Sequence, residues 1–479
     1  MSSIFSTLAK DLEGKVFQPD SDVYKDSLAS YFTLQEAQLI PSFIITPMST
    51  QDVAQVLKSL RALNSQTEIQ TKVAIRGGGH SPFAGSANIN NGITIDLRKI
   101  DSVEVNESKN VVSVGGGAIW GTVYDKLDAM GLSVVGDTFM MLGLEGGFSS
   151  FSPRYGMCCD MIDNFEVVLA DGQIVHANAN ANTDLWTALK GGSNNFGIVT
   201  RFDMRTFPQG KQWAGLIVYP ISTLDENFKA LESMPDNWDP YASMKLSITF
   251  SPQTKFTIAS NFEYTKEDSA PAVFKPFMDI KPQYRNTMKI STPGETAREI
   301  QKMQKNGVRQ IFATTSFRFS AAHLQSVFTL FKNTVVSVED IKGMRWTLTY
   351  WRLHDSITTK SAAAGGNSTG LDTSQGSLVI CVLTYSWDDA SDDTRMDETA
   401  KKFIEEVDEL SKSAGLFNRY KYVNYSAGYQ NPIIGYGDEM KMSLQKVSKK
   451  YDPEGFFQIG VPGGFKICVG ENEQSLETM

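Results

Sequence analysis

The rhythm of apolar and polar positions changes near residue 210. Before that point, short apolar runs alternate with glycine-rich segments. Ser49 and Asp52 stand as a capping pair, and Val53, Val56, Leu57, Leu60 and Leu63 follow at helical spacing, which predicts a helix. Short runs predict strands at Val73 to Ile75, Ile93 to Leu97 and Val111 to Val114. WGTVYDKLDAMG reads as a second helix, and VVLAD and QIVHA as a hairpin turning at Asp171-Gly172. DLWTALKGGSNNFGIVTRFDMRTF then predicts a short helix, a Gly/Asn loop and a closing strand.

After Pro208-Gln209-Gly210 the strands lengthen: GLIVYPIS, SMKLSITF, KFTIASNFEY, RWTLTYWRL and SLVICVLTYSW. HLQSVFTLFKNTV and TRMDETAKKFIEEVDELSK between them read as amphipathic helices. This pattern predicts a mainly antiparallel sheet covered on one face by helices. Ser361 to Gly376 reads as an exposed loop of small polar residues. From about Asn418 the chain ends in aromatic-rich loops around one helix. The fold class expected is α+β, divided at 1–209, 210–417 and 418–479.

Composition narrows the function. The chain has 479 residues, with 45 Lys and Arg against 54 Asp and Glu, a net charge of −9. An acidic chain without a basic run is a poor match for nucleic acid, whose phosphates need clustered cations. No apolar window reaches the roughly 18 residues of a membrane span, so no membrane is expected. The first residues show no basic segment leading into an apolar one, so a cytoplasmic protein is expected. Four cysteines (158, 159, 381, 468) and four scattered histidines form no metal-binding spacing, and no metal is expected.

Arg76-Gly77-Gly78-Gly79-His80-Ser81 is the sharpest local feature. Consecutive glycines after a strand open the backbone N–H groups to a pyrophosphate. A dinucleotide loop of Rossmann type needs GxGxxG opening into a helix, whereas Pro82 and Gly85 follow here, then a strand. GGGAIWG at 115–121 opens into a helix with the wrong glycine spacing. RGGGHS is therefore either a phosphate-binding loop or a tight structural turn with an incidental histidine.

RGGGHS resembles the histidine-bearing loop of the berberine-bridge-enzyme-like FAD-linked oxidases, in the vanillyl-alcohol-oxidase superfamily. The resemblance continues in order through PSFIITPMSTQDVAQVL, FSPRYGMCCDMIDNFEVVLADGQIV, DLWTALKGGSNNFGIVTRF, YVNYSA and KYDPEGFF, covering about 38–209 and 418–460. It implies a PCMH-type FAD-binding domain over 1–209, with its core at about 38–209. A substrate domain over 210–417 and a segment over 418–479 that returns to the FAD domain complete the implied architecture. It implies FAD joined covalently to His80, with Arg76, Gly77, Gly78, Gly79, Ser81, Gly85, Gly147, Gly156, Gly192, Gly197, Ile198 and Asn424 at the cofactor.

Many relatives in that family carry a second, cysteinyl tether. The corresponding region, VVGDTFMMLGLEGGFSSFSPRYG, has none, so a single link through His80 is expected. Glu145 stands there where a small residue would be expected. Tyr422 is the implied catalytic base, and as a strand YVN would turn Tyr422 and Asn424 to one side. A phenol needs a cationic or hydrogen-bonding neighbour for that role, and Arg352 and Asp355 are the candidates. The partners expected are dioxygen and a small apolar natural-product intermediate, oxidised by hydride transfer to flavin N5 in secondary metabolite biosynthesis. The alternatives are a sugar or alcohol oxidase of the same family, or a flavin-binding cyclase or isomerase without net redox turnover.

Overall fold

The structure, a computed structural model, describes residues 2–65, 71–136, 147–303, 306–374 and 376–468. The helix expected after Ser49 spans Thr50–Asn64; the Ser49 hydroxyl caps it by accepting the Asp52 N–H at 3.2 Å. Its apolar stripe, Val53, Val56, Leu57 and Leu60, is buried against a small sheet. In that sheet Phe43–Ile45, Ile93–Asp96 and Val73–Arg76 run parallel, and Val16–Phe17 adds an antiparallel edge. A second sheet is antiparallel, in the order Val103–Val105, Val111–Gly115, Ile198–Arg205, Ile162–Val168, Ile174–Asn178. The expected hairpin is the pairing of its last two strands.

The later part of the chain forms a nine-stranded antiparallel sheet. Its central strands are Gln212–Pro220, Thr257–Tyr264, Ala242–Phe250, Arg345–Arg352, Leu378–Trp387 and Arg309–Arg318, in that spatial order. Helices Leu224–Glu232, Ala321–Val335 and Asp393–Ser413 cover one face and bury Leu246, Ile248, Phe262, Leu348 and Tyr350 beneath them. The opposite face presents Ser247, Asn261, Glu263 and Thr349, all half-buried, with Lys245 and Trp351. Beyond it, Phe312, Trp351, Ile380 and Val382 join the core that holds the second sheet. The C-terminal stretch contributes Tyr420, Tyr422 and Leu444 to that core, and Phe456, Phe457 and Val461 to the core of the parallel sheet.

Two expectations need correction here. Arg309–Arg318 is a ten-residue strand that periodicity did not single out. Its Thr314, Thr315 and Ser316 are fully buried, and these polar positions interrupt any apolar run. The segment from Ser361 is also no exposed loop. Ser361 lies in the last turn of the helix Ser356–Ala363, and Ser368, Thr369 and Thr373 are buried, while Asp372 and Ser374 stay exposed. Asp160 accepts hydrogen bonds from Ser361 Oγ, from Asn367 Nδ2 at 2.9 Å and from the Met157 N–H at 2.8 Å. Lys190 lies against the Trp186 ring at 3.4 Å and donates to the Ala364 carbonyl at 3.2 Å. Burial pushes its ammonium down to about 8. Small polar residues are here the ones that fit a buried, backbone-paired strap.

Asp160→Ala leaves the buried Met157 N–H without its acceptor and frees Asn367 and Ser361 from the tie that holds the strap, which costs about 1–3 kcal/mol. The expected outcome is a lower urea midpoint together with new proteolytic cleavage within 361–374. A loop that is cut equally fast in the parent protein contradicts this account.

Candidate functional site

The site lies where the ends of several strands meet. Val73–Arg76 leads into Gly77 to Phe83, and Val111–Gly115 leads into Gly116. The loop after helix Thr183–Leu189 brings Ser193 and Asn194 alongside, and Gly197 and Ile198 open the next strand. Together with Val423, Asn424, Tyr425, Ser426 and Phe312 they line a cavity of about 300 Å³. Ile75, Leu97, Phe165, Leu189 and Phe202 give it apolar walls, and Gly464 and Phe465 close one side.

The glycine loop is shaped from below. Gly79 has φ +75°, and a Cβ there would stand 2.7 Å from Arg76 Nε, so neither backbone nor space admits a side chain. Arg76 itself is fully buried and turned away from the cavity. It donates to the Ser27 carbonyl at 2.6 Å and to Ser30 Oγ at 2.9 Å, lies 3.6 Å over the Tyr31 ring, and faces Asp96 at 3.8 Å. Burial works against the Asp96 carboxylate, yet hydrogen bonds from Arg98 and the Arg76 charge hold it below its ordinary range. On the same wall, a Cβ on Gly77 would come 3.1 Å from the Gly116 carbonyl, and one on Gly116 2.5 Å from the Val199 carbonyl. The two loops approach too closely for side chains between them.

Of the residues implied by resemblance, Gly77, Gly78, Gly79, His80, Ser81, Gly197, Ile198 and Asn424 come together on the cavity wall. The others do not. Arg76 is structural, and Gly85 stands back while its neighbours Ser86 and Ala87 line the wall. The Gly147 carbonyl accepts the Cys158 N–H at 2.7 Å, Gly156 packs on Asp160, and Gly192 packs on Ala188 and Phe196. Glu145 lies outside the described residues. Cys158 and Cys159 are buried in the core.

YVN is not a strand. Val423–Tyr425 is a 3₁₀ turn, so the same-side argument fails. Asn424 and Tyr425 reach the cavity, while Tyr422 is fully buried one layer behind them. Its hydroxyl accepts the Phe148 N–H at 3.0 Å, and its ring packs on Phe148 and Trp351. The neighbour sought for this phenol is therefore a backbone amide. Arg352 is occupied by Asp236 and by the Leu231 and Met234 carbonyls, and Asp355 lies beside His354. Sequence reasoning missed Gly116, Ser193, Asn194, Tyr425 and Gly464. The glycine trio at 115–117 was the available signal, set aside because its spacing was tested against a different loop. Among the described residues no group of three metal-ligating side chains occurs, and no helix is long and apolar enough to cross a membrane.

Residues 41–178 match the FAD binding domain family. An FAD-dependent monooxygenase of Cercospora beticola is 32% identical over 486 residues, covering 97% of this chain and 92% of the relative. One of Emericella nidulans is 34% identical over 482 residues, covering 96% and 98%. In fold, the chain is similar to 6-hydroxy-D-nicotine oxidase of Arthrobacter nicotinovorans, with a TM-score of 0.75 at 19% identity over 93% of this chain and 96% of that one. The cavity fits FAD on its own terms. The Gly77 and Gly116 loops offer a berth free of side chains for a pyrophosphate, and the apolar walls suit flat rings.

Beneath the wall, Glu36 is fully buried and accepts the Ala87 N–H at 2.6 Å. Burial outweighs its backbone hydrogen bonds and pushes the carboxyl up to about 8. Below the unfolded value near 4.5 both states are protonated, so Glu36 is neutral for stability there. Between 4.5 and about 8 the unfolded chain ionises while the folded one keeps its proton, so stability falls as pH rises. Glu36→Gln keeps an acceptor for Ala87 without the ionisation. Its advantage over the parent should grow through that window by at most about 1.4 kcal/mol per pH unit. Urea midpoints at pH 5, 7 and 9 measure it; a constant difference contradicts the assignment.

Proposed function

This chain belongs to the family of FAD-dependent oxidoreductases that includes the FAD-dependent monooxygenases it matches over nearly its whole length, and on that premise we propose that it is a berberine-bridge-enzyme-like oxidase acting on a small natural-product intermediate with dioxygen as the acceptor, its FAD held covalently by His80 alone. The observation that carries this reading is the placement of His80 on the wall of a cavity whose other walls combine glycine backbone and apolar side chains with a few polar ones, Ser193, Asn194 and Asn424 among them. FAD in such a berth supplies a two-electron acceptor for a hydride from a substrate carbon and a route for those electrons to dioxygen.

The residues of the chain supply the rest. Gly77 to Gly79 and Gly116 would offer backbone to a pyrophosphate, and Asn424 and Tyr425 are the side chains that would contact the cofactor from the C-terminal segment. The sheet's half-buried face gives the substrate a floor. Trp351, with Lys245 Nζ 4.0 Å from its ring centre, suits a flat or polycyclic body. Ser247 and Thr349, hydroxyl to hydroxyl at 2.8 Å, suit its oxygen substituents. This floor is more polar than the apolar pocket expected from RWTLTYWRL, because Trp346 and Tyr350 of that strand point into the helix-covered core. Tyr422, between floor and cavity, takes the proton; the Phe148 N–H on its oxygen is a contact that stabilises negative charge there. Localisation in the cytoplasm belongs to the same reading.

The protein should be yellow and keep its flavin through acid precipitation, with one flavinylated peptide containing His80. His80→Ala should release flavin to the supernatant. Free flavin recovered quantitatively from the parent, or a flavin on Cys158 or Cys159, overturns the single-link reading. Substrate turnover should release peroxide in proportion to product. Incorporation of an oxygen atom from labelled dioxygen would instead place the chain with monooxygenases by activity.

Tyr422→Phe removes the proton acceptor while keeping the ring, so flavin reduction in stopped flow should slow by roughly 10²–10⁴-fold. Tyr425→Phe should leave it within a few-fold. The reverse pattern transfers the role to Tyr425.

A further inference from the structure

We propose that Phe32, from the segment preceding the matched FAD domain, is the positioning residue that aims the His80 imidazole for flavin attachment. The inference rests on the covalent reading above. The Phe32 and His80 rings stack face to face, centroids 3.8 Å apart and planes inclined by 20°. An imidazole nitrogen attacks through a lone pair in the plane of its ring. Covering one face therefore leaves the nucleophilic edge open while restricting the tilt of the plane.

Phe32 is itself held. It is 2% exposed; its N–H donates to the Gly79 carbonyl at 3.2 Å and its carbonyl accepts the Gly307 N–H at 3.0 Å. Thr33 Oγ1 donates to the Pro82 carbonyl at 3.1 Å. The carbonyls of Gly79 and Pro82 flank His80, so adjacent residues grip the loop before and after the nucleophile. Further back, Ser27 and Ser30 grip Arg76. The Phe32 ring also meets Phe312, which lines the cavity from the nine-stranded sheet, at 5.9 Å. The plane of the imidazole is thus referenced to the wall against which the cofactor rests.

In the attachment itself, a bond forms between a His80 ring nitrogen and the carbon of the flavin 8-methyl group. One methyl C–H proton and the imidazole N–H proton leave to solvent. The electron pair released from the C–H bond reduces the flavin, and dioxygen, the acceptor of the proposed function, takes those electrons. Phe32 contributes orientation, so its loss should slow this step without removing the berth.

The test mixes apo-protein with FAD under air and follows the flavin retained after acid precipitation. Phe32→Leu should bind FAD yet attach it roughly tenfold or more slowly, as expected when a reacting group is misaimed. Phe32→Tyr, which keeps the flat ring, should attach it at the parent rate. Bound but acid-releasable FAD, together with the melting temperature, separates misaiming from misfolding. In the apo-protein, NMR should show the His80 ring protons shifted upfield by the stacked phenyl, and Phe32→Leu should abolish that shift. If the parent itself never retains flavin, the covalent reading falls. If the parent retains it and Phe32→Leu attaches it equally fast, or if Phe32→Tyr fails as Phe32→Leu does, the role of Phe32 is overturned.

Discussion

The buried charge pair Arg76–Asp96 is the constraint around which the cofactor end is built. Both side chains are essentially sealed from solvent, and a charge so placed is tolerable where hydrogen bonds replace its hydration. Asp96 collects Ser27 Oγ and the Arg98 side chain and N–H; Arg76 collects Ser27, Ser30 and the Tyr31 face. Meeting that demand forces helix Asp22–Ala29 against the end of the parallel sheet. It also places the guanidinium where a Gly79 side chain would go, so the glycine loop must cross above it with bare backbone. The open berth for a phosphate follows from how the charge below was paired.

This explains why RGGGHS was legible and partly misread. Glycines report on backbone, and their meaning travels with local sequence, so the loop and His80 fell where expected. Arg76 is adjacent in sequence and points the other way, because a strand turns successive side chains to opposite sides. Tyr422 and Asn424 failed for the converse reason. Their relation depends on whether three residues extend or coil, and the 3₁₀ turn at Val423–Tyr425 is set by packing on Phe148, Phe312 and Trp351, far away in the chain.

Polarity was the other source of error. Ser361, Ser368 and Thr369 read as part of an exposed loop and are buried. Partners of the buried hydroxyls lie outside any local window: the Cys381 carbonyl for Thr314 and Asp408 for Thr315 on the strand the pattern did not single out, Asp160 for Ser361 and the Thr187 carbonyl for Ser368 in the strap. Small hydroxyls cost little to bury once paired, so their burial depends on distant acceptors. The helices, by contrast, were legible because their buried stripe repeats within each segment.

The cofactor end and the sheet floor are therefore specified by different physics. Around Gly77, Gly79 and Gly116 any added side chain collides with backbone or with a buried guanidinium, so substitutions there disturb the fold and the berth together. The floor is made of side chains standing on strands whose other face carries the core. Ser247 and Thr349 flank Leu246, Ile248, Leu348 and Tyr350 in sequence while facing away from them. Changing Ser247 or Thr349 leaves the core beneath the sheet untouched, whereas Trp351, on the same face, is itself buried in the core shared with the second sheet. Tyr422 sits at the junction, tied by Phe148 to the cofactor side and by Trp351 to the floor. The glycine backbone beside the cavity is thus fixed from below by the buried Arg76 charge, while the Ser247 and Thr349 hydroxyls stand as replaceable side chains on a sheet that the core on its other face already holds.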